Sequence, residues 1–435
     1  MTAAVIVGLG VTGIAVAERL LSRGVEITVI EDHPRPEHDD LIAGWGARLV
    51  PAPSATELAD TLPGADVLLP SPGVPHSHPT FEVAQQVGVQ VASEFDLARR
   101  WDDRPVVAVT GTDGKTTVTT MITEMLVADG RPAVAAGNTD VPLVTAIDDP
   151  ATEVFVVEAS SFRLGHTCRF NPAVAAWLNW GPDHLDVHRD LEQYQLAKAR
   201  IWSDLEPNAV AVANAGDPVV MGHTPAGART FSASVEADYR LAGDVLMGPD
   251  GVLLATSDLA RSLPHDIENA LASWACADAQ GVSAQAVTSV LTSFAGLPHR
   301  VATVAQLEGI TYVDDSKATV PHAVVAAARS FERVVLIAGG RNKGIDLGPM
   351  AAAADHIRSV VAIGDARDEV ANAFAGVRPV VFADDMDQAV ALARQAALPG
   401  DVVLLSPGCA SFDWYSGYGA RGDDFVRAVR ALEDA

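Results

Sequence analysis

A chain of 435 residues has room for about two to four domains, and 49% hydrophobic content with 35 glycines predicts packed globular ones. A formal net charge of −26 excludes a nucleic-acid partner, which needs clustered Lys and Arg, and disfavours an anionic membrane surface. Three distant cysteines, Cys168, Cys276 and Cys409, make no disulfide framework, and no run approaches the ~20 apolar residues that cross a bilayer; a reducing cytoplasm is expected.

The opening "MTAAVIVGLGVTGIAVAERLL" lacks a basic leader, and its glycines break the apolar run, so it reads as strand, turn and helix. In "GLGVTG", Gly8, Gly10 and Gly13 let backbone approach a pyrophosphate at the helix N-terminus. Glu31 closes the next strand, "EITVI", where an acid can bond a ribose hydroxyl. Short β-branched runs then alternate with helical stretches, through "DVLLP" and "GVQVASEFDL", which is the pattern of parallel sheets with crossover helices.

A second phosphate loop follows the strand "PVVAVT". "TGTDGKTT" ends as a P-loop does, in Gly114-Lys115-Thr116, although Val109 occupies the first-glycine position of the long form. Its backbone N–H groups would cradle phosphates, Lys115 would reach the β/γ oxygens, and the Thr116 hydroxyl would face Mg2+. Two phosphate loops in one chain predict two phosphorylated ligands, one of them ATP. Glu158 ends the apolar strand "EVFVVE" and is a candidate for the metal's second protein contact.

"DHLDVH" (Asp183, His184, Asp186, His188) follows the strand "AAWLNW". Beyond it, "LEQYQLAKARIW" reads as an amphipathic helix over 191–202, with Leu191, Tyr194, Ile201 and Leu205 on the core-facing stripe. Lys198 falls on that same stripe, where a charged amine is costly unless paired or neutralised. Only four of the 30 basic residues are lysine, leaving 26 arginines. Lys115, Lys317 ("DDSKAT") and Lys343 ("GGRNKG") sit on loops after strands, and Lys198 on a helix. In an arginine-rich chain such positions suit a compact ammonium or a reactive amine. The last block repeats the strand–loop–helix theme from "GLPHR" onward.

The ordered set "GTDGKTT", "EASSF", "PDHLD" with Lys198, "HDIENALA", "GLPHR", "DDSKAT" and "SPGCASFDWYSGYGARGDDF" resembles the Mur ligases of peptidoglycan synthesis over the whole chain. The resemblance implies an α/β protein of three domains: a UDP-binding Rossmann-like domain (1–95), a central P-loop ATPase-type domain (96–297), and a Rossmann-like domain for ATP and the amino acid (298–435). It implies a monomer, with UDP-N-acetylmuramoyl-L-alanine and D-glutamate as substrates, ATP, two Mg2+ ions, and a CO2-derived carbamate on Lys198. Residue by residue, Gly10, Val11, Thr12 and Glu31 match the UDP site, with Ser71, Pro72 and Gly73 in the same domain. Gly111, Thr112, Asp113, Gly114, Lys115, Thr116 and Thr117 match the ATP phosphate loop, and Asn269, Arg300 and Asp315 the adenine, phosphate and ribose contacts. Thr116, Glu158, His184 and Lys198 match metal positions, while Asn138 and Ser160 lie on the substrate side. Lys317, Thr319, Lys343, Ser411, Phe412 and Tyr418 match the region holding the amino acid and the reacting centre.

Four departures stand out. Asp113 replaces Asn in the phosphate loop, Thr139-Asp140 replaces Ile-Gly, Val320 follows Thr319 where Asn is usual, and Tyr418 replaces Phe. None removes a metal position. A related ligase taking L-glutamate or a folate, a NAD-dependent dehydrogenase and a non-catalytic UDP-sugar binder are the rival readings. The dehydrogenase leaves the second phosphate loop unexplained, and no "DNPR" of the diamino-acid-adding ligase is present.

Overall fold

The structure is a computed structural model that describes residues 1–433 apart from 140, 185, 186 and 343. The expectations for Asp140, Asp186 and Lys343 therefore lie outside the described residues. Two compact units divide the chain, Met1–Phe294 and Ala295–Ala435.

The first unit holds two sheets. Its N-terminal sheet is wholly parallel, with Ala3–Val7 paired on one side to Glu26–Glu31 and then Arg48–Pro51, and on the other to Val67–Pro70. The stretch "GVQVASEFDL" adds no strand: it makes one isolated bridge, Leu68 to Val91, and then turns into helix Glu94–Trp101. Ser93 and Asp96 explain the switch, because Asp96 accepts the Ser93 N–H at 2.8 Å as the helix's capping box.

The second sheet has nine strands, ordered in space Gly251–Ala255, Val245–Gly248, Tyr239–Ala242, Arg229–Ser232, Val210–Asn214, Val174–Trp177, Val106–Thr110, Val154–Glu158 and Ala133–Gly137. The first three form an antiparallel meander, and from Tyr239–Ala242 onward each neighbouring pair is parallel. The central strands are buried along their whole length, which suits near-continuous apolar runs such as "VVAVT" and "VFVVE". One hydrophobic cluster runs from Ile6 and Leu20 through Phe95 to Ala108, Phe155 and Trp177, so the two sheets share a core.

In the second unit the parallel strands lie in the order Ile310–Asp314, Val402–Gly408, Val334–Gly339, Ile357–Ile363 and Val380–Phe382, with Ala302–Leu307 antiparallel at one edge. Apolar side chains fill both faces of this sheet. The helix expected over 191–202 is α-helical from Leu191 to Ala199 and tightens to a 3-10 turn over Arg200–Trp202.

Candidate active site

The four strands Ala133–Gly137, Val154–Glu158, Val106–Thr110 and Val174–Trp177 are neighbours, and each delivers a sequence-predicted loop at its carboxyl end. Strand Val106–Thr110 leads into the phosphate loop, and helix Lys115–Ala128 begins from Gly114. Gly114 has φ +80°, and a Cβ there would stand 2.5 Å from Asn269 Oδ1, so glycine is what lets Asn269 reach the loop. Asn179 Oδ1 accepts the N–H groups of Thr112 and Asp113, both at 2.9 Å. The Thr112 hydroxyl lies 3.1 Å from the Tyr194 hydroxyl. Gly111 and Thr112 are buried and Asp113 is exposed; Thr116 and Thr117 are half-buried in the first helical turn.

Two lysines converge on one carbonyl. Lys115 Nζ donates to Gly111 O at 2.9 Å and to Thr112 O at 2.7 Å, while Lys198 Nζ donates to the same Gly111 O at 2.6 Å. Lys198 is 1% exposed, with its amine 4.6 Å from the Tyr194 ring centre. Burial first, then the Lys115 charge, hold its amine well below the usual lysine range, against opposing pull from Asp183, Asp113 and Glu158.

Glu158 is buried at the end of its strand. Its Oε1 accepts from Asn138 Nδ2 at 3.0 Å, but its Oε2 is buried without a hydrogen-bond partner among the described residues. An orphaned buried carboxylate oxygen is what a cation site requires. Among the described residues, no three His, Cys, Asp or Glu side chains form a metal cluster. Mg2+ does not need one, since it is commonly held by one or two carboxylates together with substrate phosphates. The orphaned Glu158 oxygen, at the end of the strand paired with the one that leads into the phosphate loop, fits that donor set.

His184 adopts φ +57°, an uncommon conformation for a residue other than glycine, and its Nε2 lies 3.2 Å from Asp183 Oδ2. Its ring stands edge-on to Phe162 and Tyr194. His188 is instead buried, its Nε2 2.9 Å from Ser161 Oγ. Ser160, buried, has no hydrogen-bond partner for its hydroxyl among the described residues.

At the first loop, helix Val11–Leu21 starts from Gly10, so the N–H groups of residues 11–13 have no acceptor within the helix. A Cβ on Gly13 would sit 2.0 Å from Gly8 O, which only glycine avoids. Ser71 Oγ donates to Gly8 O at 2.7 Å and ties the "SPG" loop, with Pro72 and Gly73, to this turn. Glu31 accepts Leu9 N–H at 2.7 Å and His33 N–H at 3.0 Å. Burial pushes its carboxyl up, but these two N–H donors outweigh it and bring the group below its ordinary value. Val11 is 71% exposed, whereas the Thr12 hydroxyl is buried and accepts from Arg163 at 2.8 Å.

In the second unit, three adjacent strands carry the remaining predicted residues. Arg300 lies between His299 at φ +60° and Val301 at φ +45°, strain that a β-branched residue shows only where the surroundings enforce it. His299 Nδ1 is 2.7 Å from Asp314 Oδ2. Lys317 stands 5.2 Å from the Tyr418 ring centre. Thr319 is half-buried, Ser411 buried, and Phe412 59% exposed. Arg341 and Ala410 bridge their loops through paired backbone hydrogen bonds of 2.8 and 3.1 Å, bringing Arg341 beside "GCASF".

Asp315 is buried, accepting from Ser406 Oγ at 2.8 Å and Val301 N–H at 3.3 Å. Burial dominates and raises its carboxyl to about 7. The folded chain therefore keeps a proton that the unfolded chain, with an ordinary aspartate near 3.8, releases. Stability contributed by the neutral form is present at acid pH and falls as pH rises through about 4 to 7. Asp315→Asn should accordingly melt roughly 3 °C higher at pH 8, with the gap closing towards pH 4, while the KM for ATP rises. Melting curves at the two pH values check the sign.

Asn179, the clamp of the phosphate loop, the buried Glu94–Arg163 pair and Arg421 are not among the residues that the sequence motifs single out. Arg421 donates to the carbonyls of Ser316, Cys409 and Ala410, joining two site loops. The "LNW" context was the one available signal for Asn179, a polar residue closing an apolar strand.

Family models match the chain in the same order: the Mur ligase MurD-like N-terminal domain over residues 2–93, the Mur ligase middle domain over 109–277, and the Mur ligase glutamate ligase domain over 299–409. A relative from Frankia casuarinae, named UDP-N-acetylmuramoylalanine–D-glutamate ligase, is 40% identical over 98% of this chain and 94% of its own length. One of the same name from Thermobifida fusca is 38% identical over 98% of each chain. Among solved structures, a pseudomurein peptide ligase type C from Methanothermus fervidus shares the fold, with TM-score 0.61 at 15% identity, covering 99% of this chain and 100% of that one. A phosphate loop set beside a metal-ready carboxylate, in a chain so matched, defines an ATP-dependent acid–amino-acid ligase. The chain belongs to the Mur ligase family.

Proposed function

We propose that this chain joins D-glutamate to UDP-N-acetylmuramoyl-L-alanine with cleavage of ATP, in peptidoglycan synthesis. The observation that carries the reading is likeness along nearly the full length to relatives of that name, in a chain whose phosphate loop and orphaned Glu158 oxygen lie at the ends of paired strands. The alanyl carboxylate attacks the γ-phosphorus, giving an acyl phosphate and ADP. The D-glutamate amine then attacks the acyl carbon, and phosphate leaves.

Lys115 exchanges its loop carbonyls for phosphate oxygens, and the N–H groups at the start of helix Lys115–Ala128 hold the phosphates in line, those of Thr112 and Asp113 being taken by Asn179. Asn138 fixes the Glu158 carboxylate. Thr116, Glu158, His184 and a carbamylated Lys198 would hold two Mg2+ ions, which supply charge neutralisation at the phosphoryl oxygens. Asn269 meets the adenine, Asp315 the ribose, and Arg300 the phosphates. Lys317, Thr319, Lys343, Ser411, Phe412 and Tyr418 surround the glutamate and the reacting centre. Gly10, Val11, Thr12, Glu31, Ser71, Pro72 and Gly73 receive the UDP moiety, Val11 and Thr12 through the N–H groups that lack an acceptor at the helix start, because the Thr12 hydroxyl is committed to Arg163.

ADP release with UDP-N-acetylmuramoyl-L-alanine, measured against a panel of amino acids, tests the reading directly. D-Glutamate should be the strong substrate; equal turnover with L-glutamate or alanine would overturn the amino-acid assignment. The adjacency of the "GGRNKG" and "CASF" loops favours Lys343 and Ser411 as the grip on the side-chain carboxylate. Lys343→Ala should then raise the KM for D-glutamate roughly tenfold or more and spare that for ATP, as initial-rate kinetics will show.

A further inference from the structure

We infer that Arg163 is a positioning residue of the ligase reaction, holding the UDP-sugar loop in register with the two loops that carry Asn138 and Glu158. The inference rests on the reading of "GLGVTG" as the UDP-sugar site. Arg163 lies on the short helix Ser161–Leu164, five residues beyond Glu158, and is 6% exposed. One guanidinium nitrogen, Nη1, bonds Glu94 Oε1, and the other, Nη2, donates to Thr12 Oγ1 at 2.8 Å. Thr12 is in the first turn of the helix that follows the glycine-rich loop.

Glu94 is itself a junction. It opens helix Glu94–Trp101, is 3% exposed, and accepts the Val144 N–H at 3.1 Å and the Leu143 N–H at 3.4 Å. Those two residues begin helix Leu143–Ala146, a few residues past Asn138. One buried ion pair thus touches the segments that follow all three ligand-facing loops. The Phe95 ring, stacked on Phe170, lies 5.5 Å from the guanidinium and walls it from water. Burial pulls the Arg163 guanidinium below its ordinary range, and the carboxylates of Glu94 and then Glu158 oppose that pull.

A buried ion pair is a poor device for stability alone, because apolar side chains of similar volume often serve as well. Its directional bonds do something apolar packing does not, which is to fix the spacing of loops whose ligand must reach from one to the other. A displacement of about 1 Å between binding and reacting groups is enough to cost ~100-fold in rate.

The test uses the full chain carrying Arg163→Gln, Arg163→Lys, Thr12→Val or the Arg163→Gln/Thr12→Val pair. Initial rates of ADP release give both KM values and kcat, calorimetry gives the Kd of UDP-N-acetylmuramoyl-L-alanine without turnover, and melting curves report folding. Arg163→Gln should raise the KM and Kd of the UDP-sugar roughly tenfold or more, leaving the KM for ATP within about twofold. Arg163→Lys, able to keep one contact, should fall between it and the parent. The double variant should bind no worse than Arg163→Gln, because both changes break the same contact. Should Arg163→Gln not fold, Thr12→Val keeps the ion pair and must by itself weaken UDP-sugar binding. Unchanged UDP-sugar affinity, a parallel rise in both KM values, or multiplicative losses in the double variant would each overturn the inference. If the parent binds UDP-sugar but ignores D-glutamate, the amino-acid reading falls and the calorimetric comparison still decides on Arg163. A parent that binds no UDP-sugar removes both.

Discussion

Lys115→Ala should lower kcat/KM for ADP formation by roughly 100- to 1000-fold, the range seen when a preorganised charged or polar donor is removed from a developing oxyanion. The loss should fall mainly on kcat, because charge on the transferring phosphoryl group is greatest in the transition state. The structure gives the lysine a short path to that role: Nζ rests against Gly111 O and Thr112 O, the carbonyls of the loop that would surround the phosphates. Lys115→Arg should rescue little, since a planar fork does not replace a point charge folded into so tight a turn. Near-normal ADP release by Lys115→Ala would show that the phosphates bind elsewhere.

Lys115 was legible because three signals coincide at one place: an apolar strand, a glycine turn and a helix that starts without an acidic cap. The same holds for "GLGVTG" and for Glu158, an acid at the end of a strand too apolar to end that way by chance. Fold class followed from alternation of strands and helices, because parallel strands buried on both faces must be continuously apolar. The stretch "GVQVASEFDL", where the first block ends, mixes both signals: one bridge forms at Val91 before the Ser93–Asp96 capping box turns the chain into a helix.

The Glu94–Arg163 pair was illegible for a different reason. Glu94 in a first helical turn looks like a favourable charge at a helix N-terminus, facing solvent. Arg163 looks like one more of 26 arginines. What makes them matter is tertiary proximity across 69 residues, which no local pattern encodes. Asn179 is similar: a single amide oxygen clamping two N–H groups of a loop 66 and 67 residues away leaves almost no trace in sequence. Lys198 was the exception among long-range partners, visible because a charge on an apolar stripe breaks the pattern.

That charge is the basis of the second large effect. Lys198→Ala should reduce ligase activity about 100-fold or more, and acetate or formate should restore part of it. As an ammonium, Lys198 would be a second cation on the carbonyl already bonded by Lys115, in a setting that disfavours its protonation. The neutral amine favoured there is the form that captures CO2. Carbamylation would resolve the conflict: nitrogen would keep one N–H, enough to retain the bond to Gly111 O, and the added oxygens would carry the negative charge that hard Mg2+ prefers. The orphaned Glu158 oxygen and the Lys198 carbamate would then present two anionic groups to balance the Lys115 charge and the metal. Arginine cannot be carbamylated in this way, so a carbamate here would call for lysine even in a chain that mostly uses arginine. Rescue should saturate with carboxylate concentration and be absent in Lys198→Arg, whose guanidinium fills the space. Measuring ADP release for both variants with and without acetate decides the matter: full activity in Lys198→Arg, or in untreated Lys198→Ala, would show that no carbamate is required.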